Sequence, residues 1–220
     1  MPERVSDEWS LREEVVATAR ALSSRGLTSG RSGNVSARSG DRFVITPSGV
    51  RYEELRAGLI VPMAMDGSWP REGAVPSSEW RLHRALYAAR PEIRAVVHAH
   101  SREATALACH GREIPAFHYM VAVAGGANIP CAPYATYGSE ELAGYTAQAL
   151  RDRNACLLAH HGSVAVAGTL GDALQLAEDV EWLAAQYCAA RALGEVPLLS
   201  PDEMERVLGQ FRTYGQPRRA

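Results

Sequence analysis

Two histidines close the apolar run from Ala95 to His100, which has the pattern of a buried strand reaching its end. Successive strand side chains point to opposite faces, so His98 and His100 point the same way, about 6.6 Å apart along the strand. Two imidazoles arranged in this way can bind one metal ion. Solvated or core histidines are the alternative, and the i, i+2 spacing at the end of an apolar run favours the metal.

A second apolar run, Ala155 to Leu158, leads into a pair of histidines followed by Gly162. Adjacent residues of a strand face opposite sides, so only one of His160 and His161 can join the same metal. Spacing alone does not choose between them, and we expect the other to be packed or hydrogen-bonded. The remaining histidines have no supporting pattern and are interpreted as structural: His83, His110 and His118.

Glu79 is the candidate carboxylate, because it stands at the start of a predicted helix that Pro91 ends. Acidic residues favour the first turn of any helix, which is the alternative interpretation. Three histidines and one carboxylate, however, complete a four-coordinate zinc site that a substrate could open. A carboxylate beside the metal can also take a proton from a substrate carbon.

Three polar loops are candidates for binding an anion: Gly33-Asn34, Ser48-Gly49 and Ser77-Ser78. Glycine lets backbone N–H groups approach a ligand, and the N-terminus of the helix after Ser77 favours negative charge. Each loop alone is more often a turn or a cap. Their occurrence together with the metal pattern favours an anion site.

The chain has 220 residues, of which 46% are hydrophobic and 22% are charged. This length and composition suit one domain with its own core. The net charge of -2 gives no basic face for nucleic acid. No stretch is apolar enough to span a membrane, and the polar N-terminus lacks a signal-peptide core. The four widely spaced cysteines form no C-x-x-C pair, so we expect reduced thiols in a cytoplasmic protein.

Predicted strands and helices alternate along the chain, which indicates an α/β fold in which a sheet is layered with helices. This pattern alone favours a mostly parallel sheet.

Taken in order, these segments resemble the class II (zinc-dependent) sugar-phosphate aldolases, over nearly the whole chain from about Leu11 to Tyr214. Within that family the chain is most similar to the enzymes that cleave L-fuculose 1-phosphate. The matching segments are Gly33 to Ser36, Ile45 to Gly49, Pro76 to Arg81, Ala95 to His100, Ile114 to Ala116, His118 to Met120, Gly125-Gly126, Ile129 to Thr136 and His160 to Gly162.

The resemblance implies a zinc ion held by Glu79, His98, His100 and His161, with Glu79 also acting as the base. It selects His161 because the family's ligand stands directly before the glycine. The positions that match the family's phosphate-binding residues are Asn34, Ser48, Gly49, Ser77 and Ser78. Two further catalytic residues are implied: Tyr119, contributed by a neighbouring subunit, and Tyr214, in a mobile C-terminal tail from about residue 212.

The implied fold is a single α/β domain over residues 1–220, with three layers: a largely antiparallel central sheet and helices on both faces. The implied assembly is a homotetramer with shared active sites. The implied activity is cleavage of a ketose 1-phosphate, such as L-fuculose 1-phosphate or a related deoxy-ketose 1-phosphate, to dihydroxyacetone phosphate and a short aldehyde such as lactaldehyde.

Alternatives on the same fold are a pentulose-phosphate 4-epimerase and a methylthioribulose-1-phosphate dehydratase; a metal-free interaction module belongs to another class. One departure from the fuculose enzymes is Arg31-Ser32 before Gly33, where smaller residues are usual. An arginine here would strengthen anion binding or alter the aldehyde pocket.

Overall fold

The computed structural model describes residues 3–211, with side chains from residue 8 onward. The predicted tail from residue 212, with Tyr214, lies outside the described residues. The helices are α1 Glu3–Ser24, α2 Trp80–Ala89, α3 Arg102–Cys109, α4 Glu140–Ala149, α5 Leu170–Ala192 and α6 Pro201–Phe211. The strands are β1 Asn34–Ser39, β2 Arg42–Ile45, β3 Val61–Ala64, β4 Ala95–Ala99, β5 Cys131–Ala132, β6 Ala155–Leu158 and β7 Gly162–Ala167.

The strands form one sheet in the order β3-β2-β1-β4-β7-β6-β5. Every neighbouring pair is antiparallel except β5 and β6. The antiparallel sheet implied by the family resemblance is therefore confirmed, and the parallel sheet favoured by the alternation of elements is wrong. The physical reason is that β1–β2 and β6–β7 are hairpins, and the alternation of predicted elements omits β1 and β7, the strands by which the chain reverses its direction.

Helices cover both faces of the sheet, which gives the three predicted layers. On one face α1, α3 and α5 pack on the odd-numbered residues of the central strands, such as Val35 and Val97. On the other face α2 and α4 pack on the even-numbered residue Val96 and on Val164 of β7. Both faces of β4 are thus buried, which explains its unbroken run of apolar residues.

Side-chain oxygens accept the free backbone N–H groups at the starts of α5 and α3. Thr169 caps α5 by accepting a hydrogen bond from the backbone N–H of Asp172, at 3.1 Å. Further along α5, the two oxygens of Glu181 accept the backbone N–H groups of Glu103 and Ala104, at 2.8 and 2.9 Å. A carboxylate of one helix thereby caps the first turn of α3, where negative charge is favourable.

Antiparallel pairing brings several candidate residues to one edge of the sheet. The C-terminal end of β4 lies beside the N-terminal ends of β1 and β7, so that Asn34 is paired with His98 and Ser163 with Ala99.

No helix of residues 3–211 is long and apolar enough to cross a membrane.

Candidate metal centre and active-site cavity

Four side chains from three separate segments meet at this edge: Glu79, His98, His100 and His161. Their candidate ligand atoms all lie within 4.8 Å of one another. Oε2 of Glu79 is 3.1 Å from Nε2 of His98, and Oε1 is 3.2 Å from Nε2 of His161. The Nε2 atoms of His98 and His100 are 2.8 Å apart. The spacing argument for His98 and His100, and the selection of His161 by resemblance, thus describe one cluster.

The orientation of His98 is set by its second ring nitrogen. Nδ1 donates to the backbone carbonyl of Ser163 on β7, at 2.9 Å, in the interior of the sheet. This bond leaves the lone pair of Nε2 directed into the cluster. A carbonyl that fixes the ring and its tautomer in this way is the usual support of a metal-binding histidine.

The protonation states of the cluster also suit a cation. Burial, reinforced by the neighbouring His98, lowers the pKa of His100 to about 3 and that of His161 to about 4. Burial acts to raise the pKa of Glu79, but His98, His161 and Asn34 together outweigh it and hold that pKa well below its usual range. Burial acts to lower the pKa of His98, but Glu79 and the carbonyl of Ser163 outweigh it and raise that pKa. At neutral pH the cluster therefore offers neutral rings at His100 and His161 and an ionised carboxylate, and a metal ion would compete with a proton for His98.

One feature of the cluster is costly unless a cation joins it. Oε1 of Glu79 is buried and has no hydrogen-bond partner among the described residues, and a buried carboxylate oxygen without a partner is strongly unfavourable. A divalent ion would supply that partner, so the residues fit a metal of the kind that prefers imidazole and carboxylate ligands.

His160 and His161 occupy a turn rather than a strand, which corrects the sequence interpretation. The backbone N–H of His161 donates to Leu158, at 3.0 Å, and His160 has φ of 55°. The rings of His160 and His161 are separated by the geometry of this turn, and not by the alternation of side chains along a strand. His161 joins the cluster, while His160 is exposed, with its ring edge-on to Tyr134 and a centroid distance of 6.0 Å.

Gly162 permits the turn to approach β4. A Cβ at this position would lie 2.4 Å from the carbonyl oxygen of Ala99 and 3.0 Å from Cδ2 of His100. Since no side chain fits there, the glycine after His161 is required by the packing of β7 against the residues that carry the other two imidazoles.

The cluster borders a cavity of about 310 Å³, a volume suited to a small ligand. A cavity of about 410 Å³ elsewhere on the surface contains no residue of the cluster, so its greater volume does not make it the candidate site. The smaller cavity is lined by Arg31, Ser32, Gly33, Asn34, Pro47, Ser48, Gly49, Ser77, Ser78, Glu79, His100, Tyr134, Ala135, Tyr137, His160 and His161.

All three predicted anion loops line this cavity. Two of them are joined, because Ser48 N–H donates to Val75 at 2.9 Å and Ser77 N–H donates to Thr46 at 3.0 Å. The N–H groups of Gly49 and Ser78 have no acceptor among residues 3–211, and Arg31 is exposed at the same cavity. Unpaired N–H groups beside a guanidinium are suited to an anion.

Asn34 has a different role from the other loop residues. Its Nδ2 donates to Oε2 of Glu79 at 3.0 Å, and its Oδ1 lies 2.5 Å from Nε2 of His83. Sequence reasoning interpreted His83 as structural and did not connect it to the site. The available signal was the spacing, since His83 follows Glu79 by one helical turn.

Tyr119 begins a 3-10 helix, Tyr119–Ala124, and half of its surface is exposed (50%). It does not line the cavity of its own chain. His118 caps this helix through Nδ1, which accepts the N–H of Met120 at 3.2 Å, in agreement with a structural role. The exposed rings of Tyr134 and Tyr137, which line the cavity, were not predicted from the sequence.

Known proteins are similar to this chain in both sequence and fold. The family model for the class II aldolase and adducin N-terminal domain matches residues 13–188. A 5-methylthioribulose-1-phosphate/5-deoxyribulose-1-phosphate aldolase of Rhodospirillum rubrum is 49% identical, over 94% of this chain and 93% of its own length. An L-fuculose phosphate aldolase of Escherichia coli K12 is 47% identical, over 93% and 95%.

A solved structure of L-fuculose 1-phosphate aldolase superposes with a TM-score of 0.88, at 40% identity, covering 92% of this chain and 96% of that one. The matched region includes every residue of the cluster and of the anion loops. The chain is therefore an enzyme of the class II aldolase family.

Proposed function

We propose that the chain catalyses the reversible, zinc-dependent cleavage of a deoxy-ketose 1-phosphate to dihydroxyacetone phosphate and a short aldehyde. The observation that carries this proposal is the position of Glu79, which belongs to the imidazole cluster and borders the same cavity as the anion loops. A phosphate held by the loops would place the neighbouring carbons beside the carboxylate and the imidazoles.

The proposed metal ligands are Glu79, His98, His100 and His161, a donor set typical of a catalytic zinc site. When bound, the ion supplies Lewis acidity to substrate oxygens and stabilises the negative charge that develops as the carbon–carbon bond breaks. The chemistry requires no Schiff base, and the chain contains no lysine.

The proposed phosphate site consists of Asn34, Ser48, Gly49, Ser77 and Ser78. The free N–H groups of Gly49 and Ser78, the second Nδ2 hydrogen of Asn34 and the serine hydroxyls are its donors. Arg31 adds positive charge at the same cavity.

Two proton transfers accompany the cleavage. The bond between C3 and C4 breaks, its electron pair passes toward the C2 carbonyl, and the proton of the C4 hydroxyl passes through Tyr119 to solvent as the aldehyde forms. Glu79 takes up a proton from solvent and delivers it to C3 of the dihydroxyacetone phosphate half. In the reverse direction the same carboxylate removes that proton.

Tyr119 is the proposed partner of the aldehyde oxygen, donating a proton to it in the aldol direction. Its exposure and its absence from the cavity of its own chain support a contribution to a neighbouring subunit's site. The proposed assembly is the homotetramer with shared active sites that the family resemblance implies, and Tyr214 is proposed as a further catalytic residue. The free thiols fit the reducing environment of the cytoplasm.

The substrate class is suggested by the relatives, whose names specify L-fuculose phosphate and 5-methylthio- or 5-deoxyribulose 1-phosphate. The test is a cleavage assay on these three ketose 1-phosphates, with detection of dihydroxyacetone phosphate. An epimerised product would support the 4-epimerase alternative, and loss of water without cleavage would support the dehydratase. Purified protein that binds no metal and transforms none of these sugars would favour the interaction module.

A further inference from the structure

A file of buried polar side chains leads from Glu79 into the layer between β1 and α2. Asn34 Nδ2 donates to Glu79 Oε2 at 3.0 Å, and Asn34 Oδ1 lies 2.5 Å from His83 Nε2. His83 Nδ1 lies 2.6 Å from the hydroxyl of Ser36, which lies 2.7 Å from the hydroxyl of Tyr87. All five residues are buried, so the hydrogen bonds of this file must be made within the protein.

The direction of every hydrogen bond follows from the first. An ionised carboxylate only accepts, so Asn34 presents its NH₂ group to Glu79 and its carbonyl oxygen to His83. Nε2 of His83 must then carry the proton, and Nδ1 accepts from Ser36. The lone pair of the Ser36 hydroxyl in turn accepts from Tyr87. Burial lowers the pKa of His83 to about 3, which agrees with a neutral ring carrying one N–H.

The file is built from two regular spacings. Glu79, His83 and Tyr87 follow one another at four-residue intervals and share one side of α2 and its N-terminus. Asn34 and Ser36 alternate along β1 and share one face of the sheet. Neither spacing involves a residue of the cavity other than Asn34 and Glu79.

We propose that His83 is a positioning residue, which holds the carboxamide of Asn34 in the one orientation that donates to Glu79. The inference rests on the proposed function, in which Glu79 transfers the proton. The terminal oxygen and nitrogen of the Asn34 carboxamide are almost equal in size. Turning the group over therefore changes only which of these two atoms meets each partner. The donor at His83 Nε2 selects between them.

The consequence of losing that donor is specific. If the carboxamide turns over, Oδ1 of Asn34 faces Oε2 of Glu79 and two acceptors oppose each other. The carboxylate then shifts from the position that it holds in the cluster, while the three imidazoles stay in place, and the Nδ2 hydrogen proposed to donate to the phosphate turns away. The rate of proton transfer therefore depends on His83, and substrate binding depends on it only through this one donor.

The experiment compares His83→Leu, which has no donor, with His83→Gln, whose carboxamide can donate to Asn34 and accept from Ser36. His110→Leu, at an exposed histidine after α3, is the matched control. We expect His83→Leu to lower kcat about 10- to 100-fold, the range typical of residues that orient metal ligands, with a smaller rise in KM and metal content unchanged. His83→Gln should recover most of the lost rate, and the control should behave as wild type.

Equal rates for wild type and His83→Leu would overturn the inference, as would a His83→Gln variant as slow as His83→Leu, or a rate loss that tracks lost metal. If wild type itself cleaves none of the ketose 1-phosphates, the proposed function fails instead. Should His83→Leu not fold, nitrogen chemical shifts of His83 in wild-type protein decide the matter. Protonated Nε2 and unprotonated Nδ1 are expected, and the opposite tautomer would overturn the inference.

Discussion

Oε2 of Glu79 lies 3.1 Å from Nε2 of His98, although the two residues belong to different layers of the fold. Glu79 precedes the first residue of α2, and His98 is fully buried in β4. The contact joins the proposed base to a proposed metal ligand. Metal binding and proton transfer are therefore properties of the same cluster. Substitutions of different residues should nevertheless affect the two properties separately.

His98→Ala should abolish metal binding together with activity, because it removes the imidazole that the Ser163 carbonyl holds in orientation at the centre of the cluster. Metal analysis of purified protein should give about one zinc per chain for wild type and nearly none for the variant. Far-UV circular dichroism should show an unchanged fold.

Chelation of the wild type provides the matched experiment. Since the metal binds the folded chain, its removal should lower Tm and abolish cleavage, and added zinc should restore both. His110→Ala, at an exposed histidine, should leave metal content and Tm unaffected. Full activity in metal-free protein would refute the zinc proposal.

Glu79→Gln keeps the shape of the side chain but removes its ability to accept a proton. We expect affinity for phosphorylated ligands to survive largely, while exchange of the C3 proton of dihydroxyacetone phosphate with deuterated solvent is nearly lost. Proton NMR measures the exchange directly. Glu205→Gln, at an exposed position of α6, is the control, and undiminished exchange in Glu79→Gln would exclude this residue as the base.

Ser77→Asp tests the anion loops, because it adds a negative charge where the substrate phosphate is proposed. Like charges in a partly dry site repel more strongly than in water, so KM should rise sharply with metal content unchanged. Ser77→Asn is the sharper control. Both side chains can accept the Glu79 N–H that Ser77 Oγ now accepts at 3.3 Å, so only the charge differs. Equal KM values for the two variants would place the phosphate elsewhere.

Tyr119→Phe removes the hydroxyl and keeps the ring, so cleavage should slow while zinc remains bound. If the tyrosine serves a neighbouring subunit, mixing Tyr119→Phe with His98→Ala should restore activity. Mixed oligomers contain sites with an intact cluster from one chain and an intact tyrosine from the next. No recovery in oligomers shown to be mixed would confine Tyr119 to its own chain or exclude it from any site.

His83 should make the folded protein acid-sensitive. Burial lowers its pKa to about 3, against about 6.5 in an unfolded chain. The unfolded state therefore takes up a proton first, so this contribution to stability is full above pH 6.5 and is lost as pH falls toward 3. Relative to His83→Gln, which does not titrate, the unfolding free energy of wild type should fall by up to about 1.4 kcal/mol per pH unit below 6.5.

Urea unfolding of both chelated proteins at pH 7.5, 6 and 5 measures this difference. Chelation removes the metal from both, and the other histidines titrate in both. Parallel pH profiles would show that His83 is not held neutral by the fold.

The imidazole cluster was predictable because its signals are local. His98 and His100 share a strand face by alternation alone, and His161 and Glu79 were identified by family resemblance and by position. The pairing of strands was not predictable from alternation, since β7 follows directly after the His160-His161 turn and no break in composition separates it from β6. Register and direction depend on long-range pairing, which a single sequence does not display.

His83 illustrates a different limit. A histidine on the apolar face of α2 is more often a packed core residue, and nothing within its own helix contradicts that interpretation. Its connection to Glu79 passes through Asn34 on β1, which becomes a neighbour only after the sheet forms. The signal is divided between two segments and becomes specific only when their contact is known.

The paired backbone around Pro47 and Pro76 has a consequence for inhibitor design. Because the hydrogen bonds of Ser48 and Ser77 join the two loops, and Ser77 holds the N–H of Glu79, the anion donors cannot drift from the imidazole cluster. The distance between the anion donors and the imidazole cluster is therefore fixed. A compound that joins a phosphate to a metal-chelating group should bind tightly at one tether length. Adding or removing a single methylene should prevent either the phosphate or the chelating group from reaching its site.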